Sequence, residues 1–181
     1  MKQYIFCLLL LGFFAPALPV QAKEYVFDLY YRRNTSVLDT NYRTNKTVMQ
    51  DLKYLIHNTK VDSVGVTSFA SPEGFENKSL ASKRSYNSES FVLWLQSQVF
   101  PIKIGEEFCV ATWASLVPVI EVDANVPYRK ELLQLVTSGK SEQAISQQVI
   151  KLGAGKLFKY LDIHSLPALR KSIVTVYSAE K

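Results

Sequence analysis

Phe69-Ala70-Ser71-Pro72-Glu73-Gly74, followed by Asn77, Leu80 and Lys83-Arg84, is the stretch on which the fold turns. Residues 61–66 before it carry three valines and have strand character. The residues after it space their apolar side chains as a helix does. The stretch is therefore a strand end, a tight turn and a helix start. Ser-Pro-Glu-Gly is a strong turn signal, because proline presets φ at the second position and glycine accepts positive φ. A turn that feeds a helix N-terminus presents free backbone N–H groups, which favour an anion. By helical rise, Arg84 stands about two turns into that helix and can hold a carboxylate near the same spot.

Working outward, residues 61–70 form a strand in which Gly65, between Val64 and Val66, lets a neighbour approach closely. The helix after the turn covers residues 77–98. Ala81, Ser85, Ser88, Val92 and Leu95 share one stripe of it, so two serines sit on the packing face and either weaken the core slightly or find local hydrogen bonds. Phe91 and Trp94 lie beside that stripe, and Trp94 reads as core rather than as a sugar platform. Upstream, Tyr25, Phe27, Leu29 and Tyr31 alternate along a first strand. Tyr30-Tyr31-Arg32-Arg33 has the composition of a nucleic-acid patch, yet it reads better as a strand end with solvated charges, and no nucleic-acid partner is expected. Residues 42–58 form the first helix, with Val48, Leu52, Leu55 and Ile56 on one face.

Downstream, residues 101–104 and 108–111 are two candidates for a third strand, the second being preferred for pairing. An apolar run at 116–122 ends at Asn125-Val126-Pro127. Helices follow at 128–136, stopped by Gly139, at 141–152, stopped by Gly153, and at 157–163. The last strand is residues 172–177, Ser-Ile-Val-Thr-Val-Tyr, preceded by Arg170-Lys171. The sequence thus predicts a mixed α/β (α+β) domain in β-α-β-α-β order. It has a mixed sheet of about four strands, helices on one face, and a helical insert at about residues 113–165 before the last strand.

The turn region resembles the C-terminal, peptidoglycan-binding domain of OmpA-like proteins. That family carries Gly-x-x-Asp-x-x-Gly, then Asn, Leu three residues later, and Arg-Ala after that. Gly74, Asn77, Leu80 and Arg84-Ser85 fall on this frame, and the flanking strands match over residues 24–97 and 166–177. The helical insert resembles a subgroup found with surface-fibre and outer-membrane gene products. The resemblance implies that the family's Asp and Arg grip the ammonium and carboxylate of diaminopimelate in the wall. Arg84 falls on the family Arg. Ser71 falls on the family Asp and brings no charge, and the connection from Gly74 to Asn77 is shorter than usual. Glu73, two residues on, is a candidate to supply the missing negative charge. The resemblance therefore implies a candidate peptidoglycan-binding set of Arg84, Ser71, Glu73, Gly74 and Asn77.

Composition fits an exported protein. Met1-Lys2, an apolar run from Tyr4 to about Leu18 and the small-residue end Val20-Gln21-Ala22 read as a signal peptide, residues 1–22. The run is too short for a membrane span, and the mature chain is expected to have no transmembrane segment. Cleavage after Ala22 would leave 159 of the 181 residues as a single domain, 23–181, with net charge falling from +5 to +4 through loss of Lys2. Cys109 would then be the one cysteine. It reads as a small buried apolar residue between Phe108 and Val110, with no partner for an internal disulfide.

No catalytic signature is present: no Gly-x-Ser-x-Gly elbow and no phosphate loop. His57 and His164 are the two histidines, and neither sits in a metal-ligand spacing. The chain reads as non-enzymatic, with no cofactor and no metal. Two functions remain. One is a periplasmic or outer-membrane-associated module that binds a peptidoglycan stem peptide, tethering the outer membrane to the wall. The other is an interaction module for envelope or outer-membrane proteins, in outer-membrane or surface-fibre assembly, that kept the fold and lost the wall ligand.

Overall fold

A computed structural model describes residues 22–74, 78–96 and 103–179. Residues 1–21, most of the expected signal peptide, and Asn77 lie outside the described residues. The elements are β1 (Ala22–Tyr30), α1 (Asn45–Asn58), β2 (Val61–Ala70), α2 (Lys78–Gln96), β3 (Lys103–Val110), α3 (Val117–Val122), α4 (Arg129–Val136), α5 (Glu142–Lys151), α6 (Lys156–His164) and β4 (Lys171–Ala179). Short 3-10 turns link several of them, one at Pro72–Gly74 directly after β2.

The four strands form one sheet in the order β1-β4-β2-β3. The last strand in sequence therefore lies inside the sheet, antiparallel to β1 and to β2, while β2 and β3 run parallel. This is the mixed four-stranded sheet, with two helices on one face and helices inserted before the last strand, that the sequence predicts. The alternation of residues explains the packing. Val64, Val66, Val174, Val176 and Leu29 are buried against Leu52, Leu55 and Ile56 of α1 and Val92 and Leu95 of α2. The opposite face is more open, with Val26 and Tyr177 exposed.

The insert builds its own core. Trp113, Leu116, Ile120, Leu132, Ile145, Val149, Leu157, Leu161 and Leu166 form a second hydrophobic cluster, separate from the one beneath the sheet. The Ser141 hydroxyl caps α5 by accepting from the Ala144 N–H at 3.3 Å. Between α5 and α6 the backbone turns left-handed at Gly153, Ala154 and Gly155. At Gly153 a Cβ would lie 2.1 Å from the Tyr128 ring, so only glycine admits that close approach.

Five local expectations change. Neither short segment alone is the third strand: β3 runs through both candidates from Lys103, with 101–102 outside the described residues. Cys109 is exposed rather than buried, because β3 is an edge strand and Cys109 pairs with Phe69 on the face away from the helices. Burial and then the neighbouring Glu107 push its thiol pKa up. Trp94 is exposed and stacks on Phe91, lining a groove of about 320 Å³ with Lys46, Met49 and Lys53 of α1. Gly65 leaves ordinary room, since a Cβ there would meet Thr175 at 3.9 Å. The two serines of α2 find partners far along the chain rather than nearby: Ser88 pairs with the Tyr31 hydroxyl at 2.5 Å, and Ser85 donates to Glu106 at 3.2 Å.

Because β4 is sandwiched between β1 and β2, removing residues 170–181 should abolish cooperative unfolding. Calorimetry of the truncated chain checks this; a single sharp transition would contradict the strand order.

Candidate functional site

The site forms where β2 ends. Ser71 and the 3-10 turn Pro72–Gly74 leave the sheet there, and α2 begins at Lys78. Three of the five sequence candidates come together: Ser71, Glu73 and Arg84 all line a cavity of about 110 Å³, and Arg33, Asn34, Ala70 and Leu80 line it with them. Gly74 ends the 3-10 turn. A pocket for a drug-sized ligand holds roughly 300–1,000 Å³, so this cavity suits a charged head group.

Arg84 is almost wholly buried, at 1% exposure. Its Nε donates to the Thr35 carbonyl at 3.0 Å, its Nη1 to the Phe69 carbonyl at 2.8 Å and its Nη2 to the Arg32 carbonyl at 3.2 Å. The guanidinium also lies over the Tyr31 ring, 5.1 Å from its centroid. A guanidinium has five N–H donors, so two are left over after these three bonds. Burial pulls its pKa down to about 10, which still leaves it charged at neutral pH. Sequence reading assigns Arg84 to a ligand; here it also ties the exit of β1 and the following loop to the end of β2.

Glu73 is held from one side only. Its Oε1 accepts from Ser71 Oγ at 2.7 Å and from Arg170 Nη2 at 2.6 Å. Its Oε2 is buried and has no hydrogen-bond partner among the described residues. A buried carboxylate oxygen without a donor is costly, on the order of 1–3 kcal/mol or more for a charged group.

Three residues of the site were not assigned to it from sequence. Arg170, just before β4, is 3% exposed, and its Nε donates to Ser71 Oγ at 3.1 Å. Asp162, from α6 of the insert, accepts from Arg170 Nη2 at 2.5 Å and from Arg33 Nη1 at 3.0 Å. Arg33 also lies 5.5 Å from the centre of the Phe158 ring, again from α6. The insert braces the turn a second time. Ser146 of α5 donates to the Pro72 carbonyl at 3.2 Å while accepting from Trp113 Nε1 at 2.7 Å. The Arg170-Lys171 pair is visible in the sequence as a basic strand start. Nothing local ties Arg170 to Glu73, which is 97 residues away.

Among the described residues, no group of three or more His, Cys, Asp or Glu side chains is placed to hold a metal ion. No described helix is long and apolar enough to cross a membrane.

No protein-family model matches the chain, and no curated protein matches it. Among solved structures, the OmpA-like domain of FopA1 from Francisella tularensis subsp. tularensis SCHU S4 aligns at 14% identity and a TM-score of 0.47. The match covers 87% of this chain and 75% of that one. At that level of similarity the chain's own residues and contacts have to carry any functional conclusion.

Arg84→Gln would remove donors from the three carbonyls of Arg32, Thr35 and Phe69 and leave them poorly satisfied. We expect a loss of about 3 kcal/mol of stability by denaturant titration, and little rescue by Arg84→Lys, whose ammonium lacks the planar fork. A melting curve unchanged by either substitution would show that the guanidinium does not hold these segments together.

Proposed function

We propose that the chain is an exported, non-enzymatic cell-envelope module that receives the stem peptide of peptidoglycan in the cavity beside Glu73 and Arg84. One observation carries this. The cavity is lined by Glu73, whose Oε2 is buried and has no hydrogen-bond partner among the described residues, and by Arg84 and Arg33. A zwitterionic head group needs an acid and a cation within one small space, and this wall offers both. The ligand ammonium would donate to Glu73 Oε2. Its carboxylate would meet the remaining N–H donors of Arg84, or Arg33. Glu73 would take the part that the OmpA-like resemblance gives to the residue at position 71. Placement at the periplasmic side of the outer membrane follows from the same reading.

A second reading is favoured by the way Arg84 is used. A guanidinium with three backbone carbonyls as partners has a structural reason to be there without any ligand. On that reading the chain is an interaction module for envelope proteins.

Titration calorimetry with a soluble stem peptide bearing diaminopimelate separates the two. Wild type should bind weakly, and Glu73→Gln should weaken binding about tenfold or more, the scale of one hydrogen bond to a charged group. Absence of binding by wild type would leave the interaction module.

Export carries its own expectation. The mature N-terminus should be Lys23, read by mass spectrometry of the secreted or periplasmic protein. Recovery of residues 1–22 on exported protein would refute it.

A further inference from the structure

We propose that Arg170 is an internal competitor for the ligand's ammonium, and that Asp162 of the helical insert sets how strongly it competes. This rests on the wall-binding reading above. The Arg170 guanidinium is a cation with N–H donors, as an ammonium is, and it already donates to Glu73 Oε1 at 2.6 Å and to Ser71 Oγ at 3.1 Å. It therefore holds the acid on which the cavity depends through Oε1, and leaves Oε2 without a partner among the described residues. Its charge lowers the negative potential that a ligand ammonium would feel at Glu73.

Asp162 opposes this. The same Arg170 Nη2 that serves Glu73 also donates to Asp162 Oδ1 at 2.5 Å, so two carboxylates share one guanidinium. Asp162 further accepts from Arg33, which lines the cavity, at 3.0 Å. The insert thus draws positive charge away from Glu73 at two points. Without Asp162, Arg170 would give its charge to Glu73 alone. Arg33, Arg84 and Arg170 against Glu73 and Asp162 leave one positive charge in excess, which favours a ligand that brings a carboxylate with its ammonium.

The two residues should act in opposite directions, which a purely structural role would not produce. Arg170→Gln frees Glu73, and it should tighten binding of a soluble diaminopimelate stem peptide by about tenfold, the scale of one charge-assisted hydrogen bond. It should also narrow the preference for that peptide over one with lysine at the same position, because the excess positive charge is gone. Asp162→Asn should weaken binding by a factor of about three to ten, since Arg170 then pairs with Glu73 alone. Calorimetry on the full chain reads both, with Glu73→Gln as reference and melting curves as the folding control.

Tighter binding by Arg170→Gln and weaker binding by Asp162→Asn would support the proposal. If wild type binds and Glu73→Gln does not, yet folded Arg170→Gln and Asp162→Asn bind as wild type or both bind worse, Arg170 is structural. The competitor role is then overturned while the wall-binding reading stands. If wild type and every variant fail to bind, both fall. Should Arg170→Gln not fold, Asp162→Asn decides alone: weaker binding supports the role, and equal or tighter binding overturns it.

Discussion

The buried guanidinium of Arg84 is the constraint around which this structure is arranged. Removing a charge from water is expensive, and the interior has to replace the lost hydration with directed partners. Here those partners are three backbone carbonyls and one aromatic face. The carbonyls come from Arg32, Thr35 and Phe69, which belong to the exit of β1, the loop after it and the end of β2. One side chain of α2 therefore fixes the relation between the helix and two strands. The Tyr31 hydroxyl repeats the tie by donating to the Arg84 carbonyl at 3.0 Å.

Around this anchor the layer between sheet and helices is unusually polar. Ser68 and Ser172 meet at 2.5 Å across β2 and β4, and Tyr31 reaches Ser88 at the same distance. All four are buried at 0% exposure, so each needs a partner inside the protein. These pairs explain how serines stand where an apolar stripe would ordinarily run. Asn45 solves a similar problem at the start of α1. Its side chain accepts from the Tyr30 N–H and donates to the Tyr30 carbonyl, both at 2.8 Å, which satisfies both backbone groups of the last residue of β1.

The helical insert has a hydrophobic core of its own, yet its polar residues connect to the turn after β2. Ser146 touches the turn directly, Asp162 reaches it through Arg170, and Arg170 links insert, turn and final strand in one ionic network. The insert is therefore part of the cavity's electrostatics even though it does not line the cavity. A wall with two arginines and a glutamate, backed by Arg170, differs from a simple acid-and-cation pair. The difference arises from residues placed far apart in the chain.

The sequence by itself determined the order of strands and helices, the turn at Ser71–Gly74, and the buried stripes of α1 and α2. These rest on local rules: period-two and period-3.6 burial, and the φ preferences of proline and glycine. It also brought Ser71, Glu73 and Arg84 to one place, because a strand, a turn and about two helical turns fix their spacing. Tertiary structure alone decided the position of β4 between β1 and β2, the exposure of Cys109 and Trp94, and the partners of Arg84. It alone joined Arg170 to Glu73 and Asp162. The reason is physical. Edge or centre in a sheet depends on which strands pair, and the partner of a buried charge depends on which distant groups share its volume. Neither is written in the spacing of neighbouring residues.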